Sequence, residues 1–345
     1  MQSVGVTLAR GGLSAAQPGA LSVQHGAHYI KLICPGCHGN LTAVSYHALG
    51  KYHEAFECRN CSAVLAQERD IWIALPKHRR SYFEEFLMDY EAVRKAEGRG
   101  SNGPEFYLAL PYADRTGNNS WEWEIRGRTY GYLEQRILPG VQGTLPRAMT
   151  VLDLGAGNAW LSHRLATLGH RPIAVDLQTN GLDGLGAAVH YRHSLPMLFP
   201  RFQAELDRLP FVEGQFDCAI FNASFHYSEN YDRTLAEAIR CLRPGGTIVI
   251  ADSPWYSCDE SGQQMLKERR ESFQNRFGFA SDRLSSCEYL TKDRLLALEA
   301  KHDVRWKAHD VWYGLHWACR PLLAKLKGRR EPSRFRIYTT QVKTR

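Results

Sequence analysis

The chain has 345 residues, of which 44% are hydrophobic and 23% charged, with a formal net charge of +7. This composition excludes a collagen, a coiled coil and wholesale disorder, and the length suits about two domains or one large domain with an appendage. The charge is local: residues 320–345 hold nine Lys or Arg against one acid, Glu331, so residues 1–319 carry a net −1. Such a basic end is either a solvated face or a site for an anionic partner.

In chain order, residues 1–28 carry one charge, Arg10, and no continuous apolar stretch, which predicts a disordered tail and not a signal peptide. No later run approaches the ~18 apolar residues of a membrane span, so no membrane partner is expected. Nine cysteines, an odd number, argue against a secreted disulfide framework, and the cytoplasm is the expected compartment. Four of them form two Cys-x2-Cys pairs, Cys34/Cys37 and Cys58/Cys61, with 20 residues between the pairs that can form a hairpin. Two tight turns carrying four thiolates suit a tetrahedral structural Zn2+, and a zinc ribbon is expected over residues 30–76. A segment so small buries little core, so the metal would supply much of its folding energy. Its near-neutral charge suits a scaffold or lid better than a phosphate grip.

Residues 77–138 read as a helical linker or cap. Phe83, Phe86, Leu87, Tyr90 and Val93 recur at helical spacing, Gly98 stops the pattern, and residues 99–104 form a linker. The run Asn119, Ser120, Trp121, Glu122 reads as a capping box opening a second helix, ended by Pro139 and Gly140. Two aromatic groups, Tyr107, Tyr112, Trp121, Trp123 and Tyr130 and then Trp306, Trp312, Tyr313, His316 and Trp317, are either core or the walls of a pocket.

From Thr150 onward apolar strands alternate with helical stretches, the pattern of a parallel α/β sheet. The first strand, VLDL, runs into Gly155-Ala156-Gly157, small residues that let a ligand approach the backbone, with Asp153 at the strand's end. Asp176 closes the next strand, 21 residues after Gly155, where a carboxylate can accept both hydroxyls of a ribose.

VLDLGAGNAW resembles the first motif of the class I S-adenosylmethionine (SAM)-dependent methyltransferases, with Ala159 in place of a conventional glycine. RFQAELDRLPF resembles that superfamily's loop before the fourth strand, which implies that Glu205 and the amide of Leu206 meet the adenine. FDCAIFNASFHYS and LAEAIRCLRPGGTIVIADSP resemble the fourth-strand and fifth-strand segments. The resemblance covers roughly residues 140–345 and is closest to the ubiquinone- and menaquinone-type methylases. It implies an α/β, Rossmann-like, seven-stranded class I methyltransferase sheet over residues 139–345, with RFRIYTTQ as the antiparallel hairpin strand beyond a DVRWKA strand. It also implies SAM as cofactor, held by Asp153, Gly155, Ala156, Gly157, Asp176, Glu205, Leu206 and Asn222. The ribbon resembles the zinc-ribbon proteins that activate tRNA and protein methyltransferases, and a ribbon ahead of such a core also resembles bacterial 23S rRNA guanine-N1 methyltransferases.

On the acceptor side, His226 is a candidate general base or a packing residue at the cofactor's rim. Tyr227, Trp255 and Tyr256 follow strands whose carboxyl ends face the substrate, and Arg126 or Arg128 could hold a substrate anion or face solvent. The expected activity is in-line methyl transfer from SAM to a small molecule. The alternative is an rRNA or tRNA base methyltransferase that grips RNA with the ribbon and the basic C-terminus. A third reading has the ribbon docking a protein partner. The oligomeric state stays open.

Overall fold

The computed structural model describes residues 21–25, 28–48, 51–143, 147–279 and 283–343. Residues 1–20 of the expected tail lie outside them. Within the described part of that expected tail, β1 (Ser22–His25) pairs antiparallel with β2 (His28–Lys31), so residues 22–25 are ordered. Val23 is buried there, and Ile33 donates to the Pro210 carbonyl. The ribbon continues through β3 (Leu41–Ala48), β4 (Lys51–Cys58), β5 (Val64–Glu68) and β6 (Ile71–Ile73).

Helix α1 (Lys77–Ala96) follows, preceded by Pro76, whose fixed φ suits the residue ahead of a first turn. After α2 (Pro104–Ala109) comes α3 (Ser120–Tyr132). Asn119 stands at the N-cap of α3, but its side chain donates to the Glu97 carbonyl, so the expected capping box does not form. The expected stop at Pro139 is also absent. A π turn over Leu133–Ile137 leads into α4 (Leu138–Gln142), where Pro139 occupies the first turn and needs no amide hydrogen. The segment ends instead at Gly143, whose φ is +49°.

The core elements are β7 (Thr150–Leu154), α5 (Trp160–Thr167), β8 (Arg171–Asp176), β9 (Arg201–Gln203), β10 (Phe216–Asn222), α6 (Tyr231–Cys241) and β11 (Leu242–Ala251). Then come α7 (Asp259–Phe277), α8 (Lys292–His302), β12 (Lys307–His309), α9 (Leu315–Leu326) and β13 (Ile337–Gln341). Strands β7 to β11 are parallel, and β13 runs antiparallel between β11 and β12. Along β7 and β8, Leu152, Leu154, Ile173 and Val175 feed one apolar layer while Val151 and Ala174 feed the other. This is the period-2 alternation of a sheet covered on both faces.

The order β12-β13-β11-β10-β7-β8-β9 is the expected seven-stranded, Rossmann-like sheet. The ribbon, however, is no separate appendage. β6 pairs parallel with the outer strand β9, and β5, β4 and β3 extend the same sheet to eleven strands. Phe56 of the ribbon stacks on Trp72, and Trp72 on Phe202 of β9, at ring separations of 5.3 and 6.5 Å. The edge that β9 would expose is thereby covered by the cysteine-bearing ribbon.

Candidate functional site

The parallel strands end on one side of the sheet, where β7 turns into α5. Gly155 there has φ +75°, and a Cβ on it would lie 2.3 Å from Cβ of Ser224, so only glycine fits. Ala159, where a glycine is conventional, adopts the same left-handed region at φ +61°. The chain keeps that turn without glycine, at a strain of about 1 kcal/mol.

Asp153 is buried beneath the turn and accepts from the Ser162 amide at 3.0 Å and the Ser162 hydroxyl at 2.7 Å, which ties β7 to α5. Burial pushes its carboxyl up to about 7. Asp176 at the end of β8 accepts from the amides of Gly157 and Gln178, each at 2.7 Å. Burial raises its carboxyl too, opposed by those two amides.

One cavity runs over these strand ends. All eight residues expected to hold the cofactor line it: Asp153, Gly155, Ala156, Gly157, Asp176, Glu205, Leu206 and Asn222. Tyr227 lines it as well. Across from the strands, α1 closes the cavity with Phe83, Phe86, Leu87, Tyr90 and Arg94. The helix is strapped down by ion pairs from Arg79 to Glu205 and from Arg94 to Asp183, and by a hydrogen bond from Tyr82 to Glu229. The sequence offers residues 77–138 as a helical linker or cap without saying what α1 covers. Its i, i+3, i+4, i+7 aromatic spacing was the available signal of a face that covers something.

The remaining acceptor-side residues fall elsewhere. His226 is buried behind the lining, with Nδ1 3.4 Å from the Ser253 hydroxyl. Burial drives its pKa down to about 4, so the ring is neutral at pH 7 and a weak base, which counts against the expected role. Trp255 bridges Leu290 and Arg334 through its backbone, and its ring lies under the Arg336 guanidinium at 5.0 Å. Tyr256 is buried edge-on to Tyr289. Arg128 pairs with Glu124 one turn away on the surface of α3. None of these four lines the cavity. The neighbouring Arg126 does, resting on the Trp123 ring at 5.0 Å. Among the described residues no carboxylate pairs with it, and burial, with Arg94 next, lowers its proton affinity. Of the first aromatic group, Trp123 and Tyr130 pack edge-on against Trp160 and Tyr107 stacks on His190, so these three are core.

The ribbon's four cysteines form a second centre. Two matching turns carry them: the amide of His38 donates to the Cys34 carbonyl and that of Ser62 to the Cys58 carbonyl, both at 2.9 Å. His38 and Ser62 both take positive φ, 54° and 55°. The four Sγ atoms lie within 4.8 Å of one another, with Cys34 to Cys61 and Cys37 to Cys58 at 3.4 Å. A tetrahedral ion with bonds of about 2.3 Å needs sulfurs about 3.8 Å apart, so the set can hold one.

Residues 152–250 match the family model described as "Methyltransferase domain". The chain is 26% identical over 150 residues to a malonyl-[acyl-carrier protein] O-methyltransferase of Buchnera aphidicola, an alignment covering 41% of this chain and 56% of that protein. It is 45% identical over 62 residues to a phthiotriol/phenolphthiotriol dimycocerosates methyltransferase of Mycobacterium leprae, covering 18% of this chain and 22% of that one. The chain thus spans about half or less of the curated relatives it matches. Among solved structures, an S-adenosylmethionine-dependent methyltransferase from Mesorhizobium loti aligns at 18% identity and TM-score 0.39, covering 59% of this chain and 96% of that one. Residues 152–250 thus match a methyltransferase domain and lie within the Rossmann-like sheet.

Proposed function

We propose that the chain is a SAM-dependent methyltransferase acting on a small or carrier-linked acceptor that bears an anionic group. One observation carries this reading: Arg126, without a carboxylate partner among the described residues, lines the same covered cavity as the eight nucleotide-site residues. Asp176 would take the ribose hydroxyls, Glu205 and the Leu206 amide the adenine, and the Gly155–Gly157 turn the amino-acid end of the cofactor. The cofactor supplies an electrophilic methyl group on a sulfonium. This chain's residues hold the acceptor in line with it and exclude water, the entropic part of the catalysis.

An acceptor carboxylate is ionised at pH 7 and needs no proton removed, which suits a site whose nearby histidine is buried and neutral. One of the relatives above is named as a malonyl-[acyl-carrier protein] O-methyltransferase, in keeping with a carrier-linked acceptor. The four cysteines would hold a structural Zn2+ that fixes the ribbon against the edge of the sheet.

The RNA reading finds little support in the C-terminal charge. Arg330 pairs with Glu268, Arg334 with Glu331, Arg336 with Asp310 and Lys343 with Asp303, so four of its cations are already neutralised. Incubation with methyl-labelled SAM and either a metabolite extract or total RNA tests the proposal. Label is expected in the small-molecule and acyl-carrier fractions; label confined to RNA overturns it.

A further inference from the structure

Helix α9 is built inside out. Leu315, Cys319, Leu322 and Leu326 sit at i, i+4, i+7 and i+11, a single stripe along the helix. That stripe faces away from the protein: Leu315, Leu322 and Leu326 are 75%, 61% and 75% exposed, and no residue of the helix is buried. The opposite side makes the contacts, with Trp317 packed against Tyr313 and Phe335 at 5.1 and 5.3 Å and the Arg320 guanidinium over the Trp317 ring at 3.8 Å. Trp312, 63% exposed, precedes the helix. At its other end Lys325, Lys327 and Arg329 are exposed, and among the described residues no carboxylate pairs with them. With Arg320, which lies over the Trp317 ring, these are the described cations of the basic C-terminus that ion pairs leave over.

We propose that this face of α9 lies on an anionic lipid bilayer. The stripe is about 17 Å long at 1.5 Å per residue and carries no charged side chain along its line. Its leucines would enter the acyl boundary, Trp312 would sit at headgroup level, and Lys325, Lys327 and Arg329 would reach lipid phosphates on flexible stems. Charge complementarity selects the anionic surface. RNA would meet leucines where its phosphates need cations. The helix lies in the interface and does not span it, so the lack of any helix long and apolar enough to cross a membrane among the described residues does not bear on it.

Flotation of the full chain with phosphatidylcholine vesicles, with and without phosphatidylglycerol, tests the assignment. The protein is expected to float with the anionic vesicles only, and less so as salt rises. The double variant Leu322→Glu/Leu326→Glu and, separately, the triple variant Lys325→Glu/Lys327→Glu/Arg329→Glu are each expected to cut partitioning by about tenfold or more. Unchanged binding of S-adenosylhomocysteine serves as the check that each variant is folded. No flotation of the unaltered protein, or flotation that survives the leucine substitutions, overturns the proposal. So does a dimer of the unaltered protein, seen without vesicles and dispersed by Leu322→Glu/Leu326→Glu, since the face would then belong to a second copy.

Discussion

Arg79, in the first turn of α1, grips Glu205 with two prongs: Nε donates to Oε1 at 2.9 Å and Nη2 to Oε2 at 2.6 Å. The acid expected to meet the adenine is thus held by the helix that covers the cavity. Glu205 is only 4% exposed, and its other cation, Arg208, stands 4.0 Å away, so Arg79 supplies its close hydrogen bonds. Arg79→Ala should lower the free energy of unfolding by about 2–3 kcal/mol, because it strands a buried carboxylate. Chemical denaturation measures this, and a loss below about 0.5 kcal/mol, the scale of an exposed pair, would contradict it.

Asp176→Ala removes the carboxylate expected to accept the ribose hydroxyls. Two charge-assisted hydrogen bonds at about 1.5–3 kcal/mol each correspond to a loss of about 100-fold to 10,000-fold in S-adenosylhomocysteine affinity. Calorimetric titration reads it directly; near-normal affinity would remove Asp176 from the cofactor site.

The cysteine centre should hold zinc as isolated, detectable by elemental analysis. Cys58→Ser or strong chelation should release it. Because β6 is hydrogen-bonded to β9, the loss should lower the melting temperature of the main transition and not merely erase a separate ribbon transition. Scanning calorimetry distinguishes these, and a main transition untouched by metal removal would show that the ribbon and core are uncoupled.

Asp252, buried at the end of β11, takes a left-handed backbone conformation at φ +50°. One oxygen accepts from the Thr129 hydroxyl at 2.6 Å, and burial pushes its carboxyl up from 3.8 to about 6. A folded-state value above the unfolded one favours the protonated form. The associated stability is complete below pH 3.8 and is lost as pH rises to about 6. Asp252→Asn, which tolerates the same backbone region, should therefore stabilise the fold by about 1–3 kcal/mol at pH 7.5. The gain should shrink toward zero near pH 4. An equal gain at both pH values would exclude titration as its cause.

The strands from Thr150 onward were legible because their signals are local: an apolar run, a Gly-x-Gly turn and an acid at the next strand's end each lie within a few residues. The four-cysteine centre was legible for the same reason. The seven-strand order followed from resemblance to a methyltransferase core. The acceptor side was legible only in part: Tyr227 and Arg126, both among its candidates, line the cavity. His226 and Arg128 carry suitable chemistry, yet the one is turned into the core and the other outward, while Arg126, two positions away on the same helix, points into the cavity. On a helix a step of two residues reverses the face, and no local pattern says which face a helix of low amphipathicity will bury.

The sequence by itself determined the strand, Gly-x-Gly turn and following acid that come to line the cavity, and the paired cysteine turns, because each is written in contiguous or short-range spacing. It also located the surplus charge at the C-terminus. Only the tertiary structure decided that the ribbon continues the sheet through β6 and β9, that α1 roofs the cavity by Arg79 and Arg94, and that four of the nine C-terminal cations are paired with carboxylates 3 to 62 residues away. Those outcomes depend on which surfaces meet across long stretches of chain, and burial of apolar area is non-directional. Composition measures how much surface there is to bury; the packed fold selects the partner.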